Sequence, residues 1–146
     1  MPSKPKYFAQ TFPYSCVPAC LLTVLSSFGC DVLEYQMREL CQCDEAGTTP
    51  NNAVSAAIEL GFTHSFHARL DFEELLSEVS NGSLPIAYLR LQTGIVHAVV
   101  VYGITNNIVY FCDPANPDSD SLAASEFVAM WLSTGGMTII ITLASP

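Results

Sequence analysis

Residues 16–28 read CVPACLLTVLSSF, and this stretch fixes the first element of the fold. Its apolar side chains recur at three- and four-residue steps: Val17, Leu21, Val24, Leu25 and Phe28. That spacing is what a helix with one buried face requires. Gly29 follows at a position suited to ending it. The sequence therefore predicts a core helix that begins at Cys16.

The elements that follow fall into two groups. Second and third helices are expected over residues 33–41 and 50–60, the latter capped by Thr49 with Pro50 at its first position. Asp71 and Glu74 have the spacing of a capping box, which predicts a fourth helix ending near Val79. Val, Ile and Tyr then dominate runs of strand length at 84–91, 97–104, 108–113 and 138–143. One more helix, at 123–132, is expected before the last of these strands. Helices first and an antiparallel sheet afterwards indicate an α+β fold.

Length and composition favour a single domain over residues 1–146. Half of the residues are hydrophobic and 13% are charged, which suits a packed core rather than a disordered chain. No apolar run approaches the ~20 residues of a membrane-spanning helix. The first residues also lack the long apolar run of a secretory signal, so we expect a cytoplasmic protein whose six cysteines stay reduced.

The charge balance bears on the kind of partner. Five Lys and Arg residues against fourteen Asp and Glu residues give a formal net charge of −9. A surface of this sign repels phosphate backbones, so we expect no nucleic-acid partner. A basic or neutral peptide or protein substrate is compatible with it.

Cys16 is the first candidate for a catalytic residue. A thiol in the first turn of a helix lies among free N–H groups at the positive end of the helix dipole, and both favour the nucleophilic thiolate. Cys20 lies one turn further on and is interpreted as a packing residue. His97, at the start of an apolar strand, is the best placed of the three histidines to act as its base.

The hairpin at 105–107 extends this hypothesis. A turn near Thr105 would put Asp113 directly opposite His97, where it could fix the imidazole tautomer. Gln10, six residues before Cys16, could return its side-chain amide towards the sulfur. Together with the Cys16 N–H it would form an oxyanion hole.

These residues resemble a known family. The segment Gln10-Thr11-Phe12-Pro13-Tyr14-Ser15-Cys16 is similar to the N-terminus of the C39 family of papain-like cysteine peptidases. Gly47-Thr48-Thr49 resembles the next landmark of that family, and His97-Ala98-Val99 followed by Asp113-Pro114-Ala115 resembles its C-terminal half. Ser15 and Val17 stand where many members have Asp and Gly.

The resemblance implies a papain-like fold, with N-terminal helices packed on a C-terminal antiparallel sheet. It also implies Cys16 as nucleophile, His97 as general base and acid, Asp113 as the residue that orients it, and Gln10 as oxyanion donor. The chemistry needs no cofactor and no metal. The best-known members are domains of peptide-exporting transporters that cut leader peptides after a double glycine. Since 146 residues hold no transporter segment, export would need a separate transporter or partner protein.

Other functions stay open at this point. A papain-like amide deamidase or acyltransferase would use the same Cys16 and His97, and a catalytically inactive peptide-binding module would keep the fold alone. Structural zinc is disfavoured, because Cys41 and Cys43, and His64 and His67, are too closely spaced for the usual ligand pairs. Tyr88, Leu89 and Leu91 are candidates for lining a peptide groove, and Trp131 is expected in the core.

Overall fold

The computed structural model describes residues 3–143, so residues 1–2 and 144–146 of the predicted domain lie outside the described residues. The helices in this range are α1 (Cys16–Ser27), α2 (Glu34–Leu40), α3 (Pro50–Glu59), α4 (Phe72–Ser80) and α5 (Ala124–Leu132). The strands are β1 (Phe66–Arg69), β2 (Ile86–Arg90), β3 (Val96–Thr105), β4 (Ile108–Cys112), β5 (Ser121–Ala123) and β6 (Met137–Ile140). The predicted α+β class is confirmed.

Local chemistry starts and stops the helices where the sequence predicts. The Thr49 hydroxyl accepts a hydrogen bond from the Asn52 N–H at 3.2 Å, which caps α3. The capping box of α4 is complete, because Asp71 and Glu74 each accept a hydrogen bond from the other's backbone N–H. Gly29 follows α1 with φ at +79°, a conformation that glycine adopts without strain.

The strands form one six-stranded antiparallel sheet in the order β1-β6-β2-β3-β4-β5. Its two edge strands, β1 and β5, were not predicted from the sequence. They have four and three residues, and each pairs with one neighbour only. Strands this short owe their conformation to the neighbour they pair with, so their own residues carry little periodic signal.

Helices cover both faces of this sheet. On one face α1, α2 and α3 enclose a core that includes Leu21, Leu25 and Val100. On the other face α4 and α5 enclose Val99, Val101 and Trp131, which is fully buried. Alternate residues of β3 therefore enter different cores, which explains its unbroken apolar sequence. Because α1 packs against β3, its N-terminus can reach the residues at the start of that strand.

The hairpin between β3 and β4 differs from its predicted register. Asn106 and Asn107 both have positive φ, 52° and 62°, so the turn lies beyond Thr105 and pairs Thr105 with Ile108. A bulge between Val101 and Gly103 then shifts the pairing register back by one residue. Val100 consequently faces Cys112 rather than Tyr110, so the expectation that Asp113 lies directly opposite His97 was wrong by two residues.

No helix within residues 3–143 is long and apolar enough to cross a membrane.

Candidate active site

Cys16 is the first residue of α1, as predicted. The turn that leads into it is fixed by Ser15, whose buried hydroxyl accepts from the Phe12 N–H at 2.9 Å and donates to the Phe12 carbonyl at 3.1 Å. Phe12 and Tyr14 stack their rings in parallel, 5.3 Å apart. The Cys16 sulfur is only partly buried, and its N–H belongs to the first helical turn, where amides have no partner within the helix.

His97 links Cys16 to Asp113. Its Nε2 lies 2.6 Å from Oδ1 of Asp113, and His97 lines the same cleft as Cys16, near enough for Cys16 to influence the pKa of its ring. Asp113 follows the last residue of β4, so its side chain can reach His97 although the two residues are not opposite each other. The Ala115 N–H donates to the same Oδ1 at 2.9 Å, which gives the carboxylate a second hydrogen bond.

The surroundings of His97 favour its charged form. Burial alone lowers the pKa of His97, because it disfavours a charge. The hydrogen bond with Asp113, the nearby Cys16 side chain and the negative charges of these two groups oppose burial and raise the pKa to about 9. At neutral pH the arrangement therefore stabilises an imidazolium between two acidic groups, which is the charge state that accompanies a thiolate.

Gln10 lies in the segment that precedes α1 and is tied to the turn after Asp113, and it does not appear among the residues that line the cleft described below. Its backbone N–H donates to the Pro114 carbonyl at 2.9 Å, directly after Asp113 in the chain. Its side-chain Nε2 donates to the Phe12 carbonyl at 2.8 Å, while Oε1 is buried and has no hydrogen-bond partner among residues 3–143. An amide nitrogen has two hydrogens, so one donor of Nε2 is left for another acceptor.

A cleft of about 330 Å³ opens beside Cys16 and His97. Three short segments complete its lining: Pro13 and Tyr14, Glu45 to Gly47, and Ile95 with Val96. The Cys43 thiol donates to the Tyr14 carbonyl at 3.6 Å, which ties two of these segments together. The Tyr88 hydroxyl donates to the Thr48 carbonyl at 3.0 Å and holds the second segment against the sheet.

Two larger hollows, of about 560 and about 900 Å³, lie elsewhere on the surface. Neither is lined by Cys16, His97, Asp113 or Gln10. Of these three concavities, the cleft combines a thiol with an imidazole.

Several other sequence expectations find their place here. Tyr88 and Leu89 are buried core residues, so the idea that they line a peptide groove is wrong, and Leu91 borders one of the other hollows. Cys20 and Trp131 are buried, as expected. All six cysteines are free thiols. Within residues 3–143 no three His, Cys, Asp or Glu side chains converge as metal ligands would.

Sequence reasoning missed most of the cleft lining. Glu45, Ala46 and Gly47 lie in the loop between α2 and α3, and Ile95 and Val96 lie at the start of β3. Ile95 is 63% exposed, which is unusual for a large aliphatic side chain beside a strand. The apolar pair Ile95 and Val96, directly after Thr93-Gly94, was the available signal. It gains meaning only once the fold brings that turn beside Cys16.

Known proteins resemble this chain over most of its length. The peptidase domain of Streptococcus ComA, a bi-functional ABC transporter involved in a quorum-sensing pathway, superposes with a TM-score of 0.82. It is 26% identical, and the match covers 95% of this chain and 99% of that one. A double-glycine-motif protease from an AMS/PCAT transporter, solved in complex with the leader peptide, has a TM-score of 0.77 at 24% identity, with coverage of 95% and 91%.

Sequence comparison gives a consistent result. An uncharacterised protein of Methanothermobacter marburgensis is 31% identical over 106 residues, which are 73% of this chain and 69% of that protein. The peptidase C39 family model matches residues 4–144. The papain-like arrangement of helices and sheet agrees with that match. The chain belongs to the peptidase C39 family.

Proposed function

We propose that this protein is a cysteine peptidase that hydrolyses a peptide bond with Cys16, His97, Asp113 and Gln10. The observation that carries the proposal is the hydrogen bond between Asp113 and His97, with His97 and Cys16 together in the wall of an open cleft. Membership of a peptidase family supports hydrolysis as the reaction.

In the proposed reaction the Cys16 thiolate attacks the carbonyl carbon of the scissile peptide bond, and the carbonyl electrons move to its oxygen. The Cys16 N–H and the second Nε2 hydrogen of Gln10 stabilise that oxyanion. The tetrahedral intermediate then collapses, the C–N bond breaks, and the leaving amine takes the proton of His97. An acyl group remains on Cys16 as a thioester.

Hydrolysis of the thioester returns the enzyme to its starting state. Neutral His97 takes a proton from water, and the resulting hydroxide attacks the thioester carbon. Collapse of the second intermediate breaks the C–S bond and releases the product as a carboxylic acid, which loses its proton to solvent, and Cys16 as a thiolate, while the proton taken from water stays on His97. Asp113 keeps the imidazole in one tautomer and stabilises its charge throughout.

The anchoring of Gln10 supports its part in this scheme. A donor contributes to transition-state stabilisation when it is oriented before the reaction begins. The hydrogen bonds of Gln10 to Pro114 and Phe12 fix both its backbone and its amide plane. The same segment continues into Cys16, so nucleophile and oxyanion donor are held by one short stretch of chain.

Turnover of defined peptides tests the proposal. Purified protein is incubated with a mixed peptide library that includes double-glycine leader peptides, chosen because one structural relative was solved with its leader peptide. Mass spectrometry then identifies new termini. We expect cleavage by the wild-type protein, none by Cys16→Ala, and unchanged cleavage by Cys30→Ala, which alters a partly buried thiol beyond the other end of α1.

Circular dichroism establishes that the Cys16→Ala variant is folded. Cleavage by that variant would contradict the proposed nucleophile. Conversion of glutamine side chains to glutamate without chain scission would favour an amide deamidase, and transfer of an acyl group to an added amine would favour an acyltransferase. Binding of peptides without any chemical change would indicate the inactive binding module.

A further inference from the structure

A second segment of the chain holds Asp113 in place. Tyr7 precedes the nucleophile by nine positions, yet its hydroxyl donates to the main-chain oxygen of Asp113 at 2.8 Å. Three residues later the Gln10 N–H donates to the Pro114 oxygen at 2.9 Å. Two consecutive carbonyls of the Asp113 turn therefore accept hydrogen bonds from the N-terminal segment.

These bonds matter because Asp113 lies beyond the ladder of the sheet, whose last pair between β3 and β4 is Val100 with Cys112. From its own turn, Asp113 receives the Ala115 N–H on its carboxylate at 2.9 Å and the Asn116 N–H on its main-chain oxygen at 3.1 Å. Both donors follow Asp113 in the chain, away from β4. Tyr7 and Gln10 connect the backbone of this turn to the N-terminal segment, in addition to the contact that the Asp113 carboxylate makes with His97.

We propose that Tyr7 is a positioning residue for the reaction, whose hydroxyl fixes the Asp113 backbone so that the carboxylate stays on Nε2 of His97. This inference rests on the proposed peptidase function. Tyr7 acts through Asp113 and is not assigned a contact with the substrate. In effect, the segment from Tyr7 to Cys16 connects the orienting acid, the oxyanion donor and the nucleophile.

The environment of Tyr7 suits a hydrogen-bond donor. Its ring packs against the core between α1 and the sheet, so a phenylalanine fits the same space. Burial, and next the Asp113 charge, raise the pKa of Tyr7, which keeps the hydroxyl protonated across the working pH range. Replacing Tyr7 with Phe therefore removes one donor and little else.

Tyr102 provides a matched control. Its ring packs partly buried against the same core. Its hydroxyl takes part in no hydrogen bond found among residues 3–143, and its ring lies 6.3 Å from that of Tyr110. Tyr102→Phe is thus the same chemical change without the loss of a bond to Asp113.

The test compares Tyr7→Phe and Tyr102→Phe with the wild-type protein in two measurements. With a peptide that the wild type cleaves, we expect Tyr7→Phe to lower kcat about fivefold to tenfold, the size of one neutral hydrogen bond, with KM changed less than about twofold. By NMR titration, we expect the pKa of His97 to fall. Cys16 and Asp113 are the charged groups that face His97. In Tyr7→Phe, Asp113 is held less firmly beside it. Tyr102→Phe should match the wild type in both.

The two measurements separate the inference from the function on which it rests. Equal kcat and equal His97 titration in Tyr7→Phe and Tyr102→Phe would overturn the inference, even if Tyr7→Phe lowers the melting temperature, since the hydroxyl would then be merely structural. Absence of turnover in the wild-type protein would instead contradict the peptidase proposal. In that event the His97 titration still decides whether Tyr7 positions Asp113.

Discussion

At the scale of single residues, the Asp113 carboxylate sets the protonation state of His97. The two side chains are close to each other, 2.6 Å between Nε2 and Oδ1, and both are largely removed from solvent, with 11% and 15% of their side-chain surface exposed. Little water screens the pair, so its charges interact more strongly than an ion pair at an open surface. The imidazolium form therefore persists to about pH 9.

This arrangement predicts a pH dependence. Since the pKa of His97 is raised, its protonated form is present below about pH 9 and is lost above it, so kcat/KM should decline with a midpoint near that value. Asp113→Asn removes a charge that raises the pKa, so its decline should begin at lower pH. We also expect kcat to fall about 10²–10⁴-fold, the size of a general acid–base contribution.

The measurement is a pH–rate profile of both proteins with one peptide, with Asp118→Asn as a control in the exposed loop that follows. An unshifted alkaline limb in Asp113→Asn would contradict the assigned role of the carboxylate.

Sequence identified these residues but not their geometry. Cys16, His97 and Asp113 were selected by residue type and position. The nucleophile, the base and the orienting acid each need a particular side chain at the end of a helix or strand. The contact between His97 and Asp113 was predicted through a register that the structure corrects. Turn type and the bulge at Val101 depend on how the strands pair, and the side chains bridge the remaining offset. Tyr7 was missed because a lone tyrosine gives no signal until the chain returns to Asp113.

At the scale of elements, the backbones next to the edge strand β1 and the interior strand β6 make a close contact. Gly136 precedes β6, and its carbonyl accepts a hydrogen bond from the Leu70 N–H at 2.9 Å, just after β1. A Cβ at Gly136 would lie 2.2 Å from the Leu70 oxygen, and φ there is +71°. The backbones at Leu70 and Gly136 are thus closer together than a residue with a Cβ at position 136 would allow. This edge strand is one that sequence patterns did not reveal.

Gly136→Ala is therefore expected to destabilise the protein by more than the roughly 1–2 kcal/mol that a left-handed conformation costs an ordinary residue. Gly29→Ala is the control, since its φ is +79° but nothing lies within 4 Å of the added carbon. Denaturant unfolding of both variants gives the comparison. Equal losses of stability would mean that Leu70 moves away freely and that the close approach is unimportant.

Capping residues were the most reliable sequence signals at this scale. Thr49, Asp71 and Glu74 act within a few residues of themselves, so their hydrogen bonds can be read from local sequence. The ends of the strands were less well predicted. β6 ends at Ile140 although the apolar run continues to Leu143, because pairing with β1 and β2 ends there.

At the scale of the whole molecule, charge and fold combine at the cleft. The protein carries a formal charge of −9, and Glu45 lies in the lining beside Cys16. No ion pair found among residues 3–143 involves Glu45. The cleft therefore presents an uncompensated carboxylate to a passing peptide. The net negative charge of the rest of the surface also attracts a basic peptide, over a longer range.

We therefore expect peptides with Lys near the scissile bond to be cleaved with a higher kcat/KM than matched peptides with Glu. The ratio should be roughly twofold to fivefold at low salt, because exposed ion pairs are weak, and it should shrink as salt is added. Glu45→Gln should reduce the ratio, whereas Glu59→Gln, which lines a different hollow, should not. A ratio that is the same in both variants would argue against Glu45 as a determinant of specificity.

The central claim is that His97 activates Cys16 as the nucleophile, and brief alkylation at about pH 6 tests it most directly. The folded protein is treated with substoichiometric iodoacetamide, digested, and the label is located by mass spectrometry, with His97→Ala beside it. Burial raises the pKa of Cys20, Cys112 and Cys41, the last to about 12, so these thiols stay protonated and react slowly. We predict selective labelling of Cys16 that is lost in His97→Ala. Slow labelling of Cys16 in the wild type, or equal labelling in the two proteins, would contradict the account.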